Sequence, residues 1–332
     1  MLAKHVQMVP FLLALTCPPA LAETAAGRCT AALRRLDTAI AARDQAAIES
    51  TGNAAIMLPG CDDGERGRLR RLASLTLTEL AKADKQNLQP DDYLKRLTAA
   101  RRLGQVWQTL LAIADVYYDA QQYKEASLAY QEAFTAEDEV YPDEPKPPRE
   151  TINWTYERAA EMQMLAPQIA PPKRDGSPGG VDAILEPGGS RNIDVVARPL
   201  PVTFETDKAV MTTDGKVFAQ QWWDSLKSGT FADLLLVGHT DPRASDAYND
   251  PLSVRRAEAL GKFLKDSGFT GTIRTLGFGK RCPMQFSAGA DYTQDQQWQI
   301  LRRVEVVAAK DLPANLCGGQ KPVVGTVLAG AQ

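Results

Sequence analysis

His239-Thr240-Asp241-Pro242-Arg243-Ala244-Ser245-Asp246-Ala247-Tyr248-Asn249-Asp250-Pro251-Leu252-Ser253-Val254-Arg255-Arg256-Ala257 is the stretch on which the fold turns. It follows Leu234-Leu235-Leu236-Val237, a continuous apolar run that reads as a central strand covered on both faces. Asp241 therefore sits just past the carboxyl end of a strand, where α/β sheets place their ligand crevices. A helix is expected from Pro251 to about Asp266, with Asp250 as N-cap and Pro251 at the first helical position. Such a helix start offers free N–H groups and a positive dipole end, a place for a carboxylate. At roughly 100° per residue, Leu252, Ser253, Ala257, Leu260, Phe263 and Leu264 share one arc of the helix. Arg256 falls inside that arc and Arg255 outside it. An arginine on a buried face needs an anionic partner, because an unpaired buried charge is very costly. Spacing leaves two readings open. One is an internal Asp241–Arg256 ion pair without a ligand. The other is a crevice for a zwitterion, with the acid taking an ammonium and the arginine fork a carboxylate.

Outward from this stretch the pattern alternates strand and helix. Leu200 to Phe204, Thr272 to Leu276 and Arg303 to Val307 read as strands, and Val217, Phe218, Trp222 and Leu226 form a helical stripe. The set makes a βαβαβ arrangement with a final strand. Before it, Pro167 to Arg191 is rich in proline and glycine and reads as a semi-flexible linker. Residues 24–165 read as helices, broken at Pro59-Gly60 and restarted at Pro90 with Asp91-Asp92. The clearest pair runs from Val106 to about Asp138, with its turn at Gln121-Gln122. Leu110, Ile113, Ala114 and Tyr117 line its first helix, and Tyr123, Ala126, Tyr130 and Ala133 its second. This spacing resembles a tetratricopeptide repeat, a pair of helices packed through small residues. Tyr117, Tyr123 and Tyr130 read as packing between helices, and the acidic run at Glu137-Asp138-Glu139 as a solvated loop.

The chain has 332 residues and a formal net charge of −3, with an apolar share of 44%. That is ordinary globular composition, and it lacks the basic footprint of sequence-independent nucleic-acid binding. Lys4, the apolar run from Val9 to Leu15, and Ala20-Leu21-Ala22 form a secretory signal pattern. Cys17 opens a rival reading, cleavage before a lipidated cysteine. Beyond the leader four cysteines remain, and export favours their oxidation. Of three possible pairings, the domain boundary favours Cys29–Cys61 and Cys282–Cys317, one in each domain. Val323 to Ala331 is too short for a membrane helix. His239 reads as a structural residue, since no serine or cysteine nucleophile pattern accompanies it. Gly277-Phe278-Gly279 lacks the rest of a dinucleotide fingerprint, and Trp222-Trp223 reads as core plus one exposed indole.

The central stretch resembles the OmpA-like C-terminal domain, a peptidoglycan-binding module of Gram-negative envelope proteins. The family's spaced pattern appears as Thr240-Asp241, Tyr248-Asn249, Leu252-Ser253 and Arg256-Ala257. Phe204 with Asp207, Gly277-Phe278-Gly279 with Pro283, and Arg302-Arg303-Val304-Glu305 extend the match over about residues 195–310. The resemblance implies that Asp241 grips the ammonium and Arg256 the carboxylate of diaminopimelate in the peptidoglycan stem peptide. It implies that Thr240, Asn249 and Leu252 shape the pocket, that Asp207 stands at its edge, and that Arg302 or Arg303 supports it. Ala244, Leu301 and Lys280 stand where the family usually has Gly, Asn and Glu.

The expectation is an α+β two-domain protein. Residues 1–22 are a signal peptide, 23–166 an all-α tetratricopeptide-like domain, and 167–192 the linker. Residues 193–310 are an OmpA-like domain with helices on a mixed sheet, and 311–332 a C-terminal tail. The expected activity is non-enzymatic binding of peptidoglycan in the periplasm, at the wall and the outer membrane. No cofactor, metal or nucleic acid is expected. The helical domain would hold an unidentified envelope protein. The alternative is an interaction scaffold whose OmpA-like domain does not bind the wall.

Overall fold

The computed structural model describes residues 25–137, 146–170, 179–180, 197–227, 233–307 and 316–329. The leader with Cys17, the acidic run from Asp138 onward and most of the linker lie outside these residues.

Among the described residues, seven α-helices form the N-terminal region. They are α1 (Ala25–Ala41), α2 (Gln45–Ala54), α3 (Asp63–Asp84), α4 (Pro90–Leu103), α5 (Trp107–Asp119), α6 (Tyr123–Ala136) and α7 (Arg149–Leu165). Local chemistry sets their ends. Asp62 and Glu65 form a capping box at the start of α3, and Pro90 with Asp91 and Asp92 opens α4. Gln121 adopts a left-handed conformation (φ 57°) in the tight turn between α5 and α6. Cys29 and Cys61 are joined in a disulfide inside an apolar cluster built from α1 to α4. The expected stripes on α5 and α6 pack together, with Ile113, Ala126, Tyr130 and Phe134 buried. Glu137 departs from the expected solvated loop: it is buried and accepts a 2.7 Å hydrogen bond from the Thr155 hydroxyl.

The C-terminal region is a five-stranded mixed sheet of β1 (Arg198–Leu200), β2 (Asp233–His239), β3 (Thr272–Gly279), β4 (Val304–Val307) and β5 (Val323–Leu328), in the order β1-β4-β2-β3-β5. Among the described strands β2 and β3 run parallel, and the other neighbours are antiparallel. Two helices, α8 (Thr213–Leu226) and α9 (Asp246–Asp266), cover one face. Their Phe218, Trp222, Leu260 and Leu264 meet Leu234, Leu236, Ile273 and Val306 of the sheet. The opposite face carries a smaller cluster of Leu235, Val237, Phe278 and Val307, sealed by the Cys282–Cys317 disulfide. A short helix, α10 (Gln294–Leu301), precedes β4.

Several sequence boundaries shift. Residues 311–332 contain an element of the domain: Val323–Leu328 pairs with β3 and closes the sheet edge. Helix α9 starts at Asp246 with Ser245 in the cap position, so Asp250 and Pro251 lie inside it. Tyr248 N and Asn249 N already donate to the Ser245 carbonyl, so the helix is under way before the proline, its sixth residue, which costs it one backbone bond. Val217 is exposed, leaving Phe218 and Trp222 as the buried stripe of α8. Trp223 is half-buried and donates to the Ser267 carbonyl.

The two regions also share a core. Tyr292 and Ile300, with the partly buried Met284, Phe286 and Ala290, belong to the cluster built on α5, α6 and α7. The described pieces of the linker hydrogen-bond to α6 and α7 as well. Gln131 and Gln163 both donate to the Gln168 carbonyl, and Gly180 N donates to Thr135 Oγ1.

Candidate functional site

A cavity of about 680 Å³ opens at the carboxyl end of β2. Its walls come from the β1–α8 connection (Phe204, Asp207), the loop after β2 (Thr240, Asp241, Arg243), the first half of α9 (Asn249, Leu252, Arg256), Trp298 of α10 and Arg302, which caps α10. Six of the residues singled out from sequence line it: Asp207, Thr240, Asp241, Asn249, Leu252 and Arg256. Arg302 lines it too, whereas Arg303 does not. Alternation along the chain into β4 turns Arg303 away. It pairs with Glu305 at 2.8 Å and donates to the Cys282 carbonyl.

Each part of this arrangement has a local cause. Gly238 and Gly277 lie directly under α9; a Cβ on Gly238 would collide with the Ser253 carbonyl, and one on Gly277 with the Ser253 hydroxyl. Their lack of side chains lets α9 sit close on the sheet. Ser253 Oγ accepts from Gly279 N and donates to the Asp250 carbonyl, and Thr240 N donates to the Gly279 carbonyl. Asn249 is buried and donates Nδ2 to the Ala244 carbonyl at 3.1 Å, so it shapes the site by fastening the loop. Leu252 is buried in the cavity wall. Asp207 takes a left-handed conformation (φ 57°) in the turn whose Lys208 carbonyl accepts from Arg256 Nε at 3.2 Å.

The charges are arranged unequally. Arg256 is 5% exposed. It rests over the Phe204 ring at 5.3 Å, and among the described residues its Nη groups have no anionic partner. Burial lowers its pKa, Arg302 adds to that, and Asp241 and Asp207 oppose it. Asp241 is 8% exposed and is doubly held. Arg243 reaches it through Nε at 3.0 Å and Nη2 at 2.8 Å, and Arg302 through Nη1 at 3.1 Å. Burial pushes the Asp241 carboxyl up, but these bonds outweigh it and hold the pKa at about 2. The Asp241–Arg256 ion pair left open by spacing does not form. Thr240 Oγ1 is buried in the cavity wall without a hydrogen-bond partner among the described residues.

His239 lies beneath the site. It is stacked on Phe278 and its Nε2 is 3.2 Å from Glu305 Oε2. Burial, aided by Arg303, pushes its pKa below the ordinary value and favours the neutral ring. Sequence reasoning missed α10 and, with it, Trp298. The signal was present as Thr293-x-x-Gln296 ahead of Ile300-Leu301, and both halves of that capping box form. Arg243 was missed as well, because nothing in its spacing separates it from a solvated loop residue. The described residues hold one cluster of metal-ligand type, Cys29, Cys61 and Glu65, and both of its thiols are used in the disulfide.

No family model matches the chain. Outer membrane porin F of Pseudomonas fluorescens is 31% identical over 112 residues, 33% of this chain and 33% of that protein. The chain thus spans about a third of the length of the curated relative it matches. The solved OmpA-like domain of FopA1 from Francisella tularensis is 20% identical, with a match covering 41% of this chain and 75% of that one at a TM-score of 0.27. The peptidoglycan-associated lipoprotein of Burkholderia pseudomallei is 24% identical over 36% of this chain and 93% of that one, at a TM-score of 0.25. The C-terminal part of the chain is thus similar in sequence to a third of an outer membrane porin F, and among the described residues the region before it is helical.

Proposed function

We propose that the C-terminal domain binds peptidoglycan non-covalently by the zwitterionic tip of diaminopimelate, and that the protein acts in the periplasm as a tether rather than an enzyme. One observation carries this reading: Arg256 is buried, unpaired by any described anion, and lines a cavity beside Asp241. A buried guanidinium gains most from a planar carboxylate that accepts two parallel N–H bonds. Asp241 stays ionised at neutral pH and suits an ammonium at the same tip. Thr240 Oγ1 supplies a further polar group that a guest would satisfy. The likeness to an outer membrane porin supports an envelope location. The helical region, whose helices pack in antiparallel pairs, would then hold a protein partner at the wall.

The occupation of Asp241 by two arginines favours a second reading, a scaffold whose domain no longer takes a ligand. Co-sedimentation with purified sacculi separates the two. Asp241→Ala and Arg256→Ala should each lower retention by roughly tenfold or more, since a hydrogen bond to a buried charged group contributes about 1.5–3 kcal/mol. Retention of both folded variants at the wild-type level would establish the scaffold instead. Release of soluble muropeptides from the sacculi would overturn the non-enzymatic reading.

A further inference from the structure

The anionic side of the cavity already holds a cation. Arg243 lays Nε and Nη2 along the two oxygens of Asp241, at 3.0 and 2.8 Å, and its backbone N lies 3.2 Å from Oδ1. Its guanidinium lies 4.6 Å from the centre of the Trp298 ring. Yet the Arg243 side chain is 55% exposed, against 35% for Arg302 and 11% for Asp241. An ion pair with one partner so exposed is weak and exchanges readily. The cavity is lined by three acids, Asp207, Asp241 and Asp295, and by three arginines, Arg243, Arg256 and Arg302. An ammonium that takes the place of one arginine keeps that balance, and Arg256, which has no anionic partner among the described residues, remains to meet a carboxylate.

We propose that Arg243 is a displaceable internal cation. It holds the ammonium position on Asp241 in the free protein and is evicted by a guest that brings an ammonium and a carboxylate together. The proposal rests on the zwitterion reading of the site and deepens it. Arg302 keeps its single bond to Asp241 Oδ2, and the arriving ammonium takes the place of the Arg243 fork. The freed guanidinium moves out to water, leaving the face of Trp298. The guest's carboxylate meets Arg256. A lone amine would have to displace Arg243 without gaining the Arg256 contact. A lone carboxylate would meet Arg256 but leave Arg243 on Asp241, and so would gain no contact with the acid. The device therefore selects ligands that carry both charges at one carbon, and its cost is a lower apparent affinity, set by the fraction of molecules already open.

Calorimetric titration with the tripeptide L-alanyl-γ-D-glutamyl-meso-diaminopimelate tests this on the full chain. Arg243→Ala should bind about three- to tenfold more tightly than wild type, because the competing cation is gone. Tryptophan emission should change on ligand addition in wild type, and that change should be lost in both Arg243→Ala and Trp298→Phe. Equal or weaker binding by Arg243→Ala, with Asp241→Ala still impaired, would overturn the displacement proposal and leave the binding reading intact. Absence of binding in wild type, or Asp241→Ala and Arg256→Ala binding like wild type, would reject the binding reading and the displacement with it.

Discussion

At the scale of single residues, position in the fold decides burial and role. Arg256 and Arg255 are neighbours in sequence, yet one is buried beside an acid and the other exposed on the outer face of α9. His239 shows the same control. Burial first, and Arg303 next, lower its pKa from 6.5, against a smaller upward pull from Glu305. An unfolded chain would take up a proton at His239 on acidification while the folded protein resists it. The stability linked to this residue is therefore complete above about 6.5 and is lost as pH falls through the lowered folded value. Thermal melting of wild type should shift down between about pH 7 and 4, and His239→Asn should flatten that dependence. A His239→Asn profile that parallels wild type would mean that other groups, such as Asp241 and Glu305, carry the acid sensitivity.

At the scale of elements, the site depends on how closely α9 approaches β2 and β3. Gly238 and Gly277 permit that approach, and the Ser253 hydroxyl locks it by bonding to Gly279 N. Gly238→Ala would force α9 off the sheet, since the added carbon meets backbone rather than a flexible side-chain end. Overpacking of this kind costs about 1–3 kcal/mol. The expected result is a lower melting temperature together with weaker sacculus retention, because Arg256 moves with its helix. Gly268→Ala is a useful contrast. It has open space around it but a φ of +104°, so it should lose stability without losing retention. Equal retention losses in the two variants would show that helix placement is not what sets the site.

At the scale of the molecule, the helical region and the sheet domain are clamped together. Glu161 of α7 is fully buried and accepts from Ser287 N, Ser287 Oγ and the Tyr292 hydroxyl. Arg158, one turn earlier, donates to the Ala288 carbonyl and lies 4.3 Å from the Tyr118 ring. Gln299 of α10 donates to the carbonyls of Met164 and Leu165, so one helix touches both the cavity and the helical region. Unfolding should accordingly be a single calorimetric transition. Glu161→Ala strands several buried donors and should cost about 3 kcal/mol or more, dividing that transition into two. A single unshifted transition in Glu161→Ala would show that the clamp contributes nothing to cooperativity.

Much of this was legible in the chain itself. The apolar run Leu234–Val237, the helical arc with Arg256 inside it and the helical pair of α5 and α6 follow from local periodicity, and the two cysteine pairs from the domain boundary; each has its counterpart in the fold. Periodicity is a property of neighbours in sequence, so it carries over directly. What the chain alone left undetermined is who partners whom across space. Arg243 rather than Arg256 takes Asp241, Arg303 turns to Glu305, Val323–Leu328 closes the sheet, and the loop before α10 docks on α7. Those choices depend on distances between elements far apart in the chain, and only packing brings such groups within hydrogen-bonding reach.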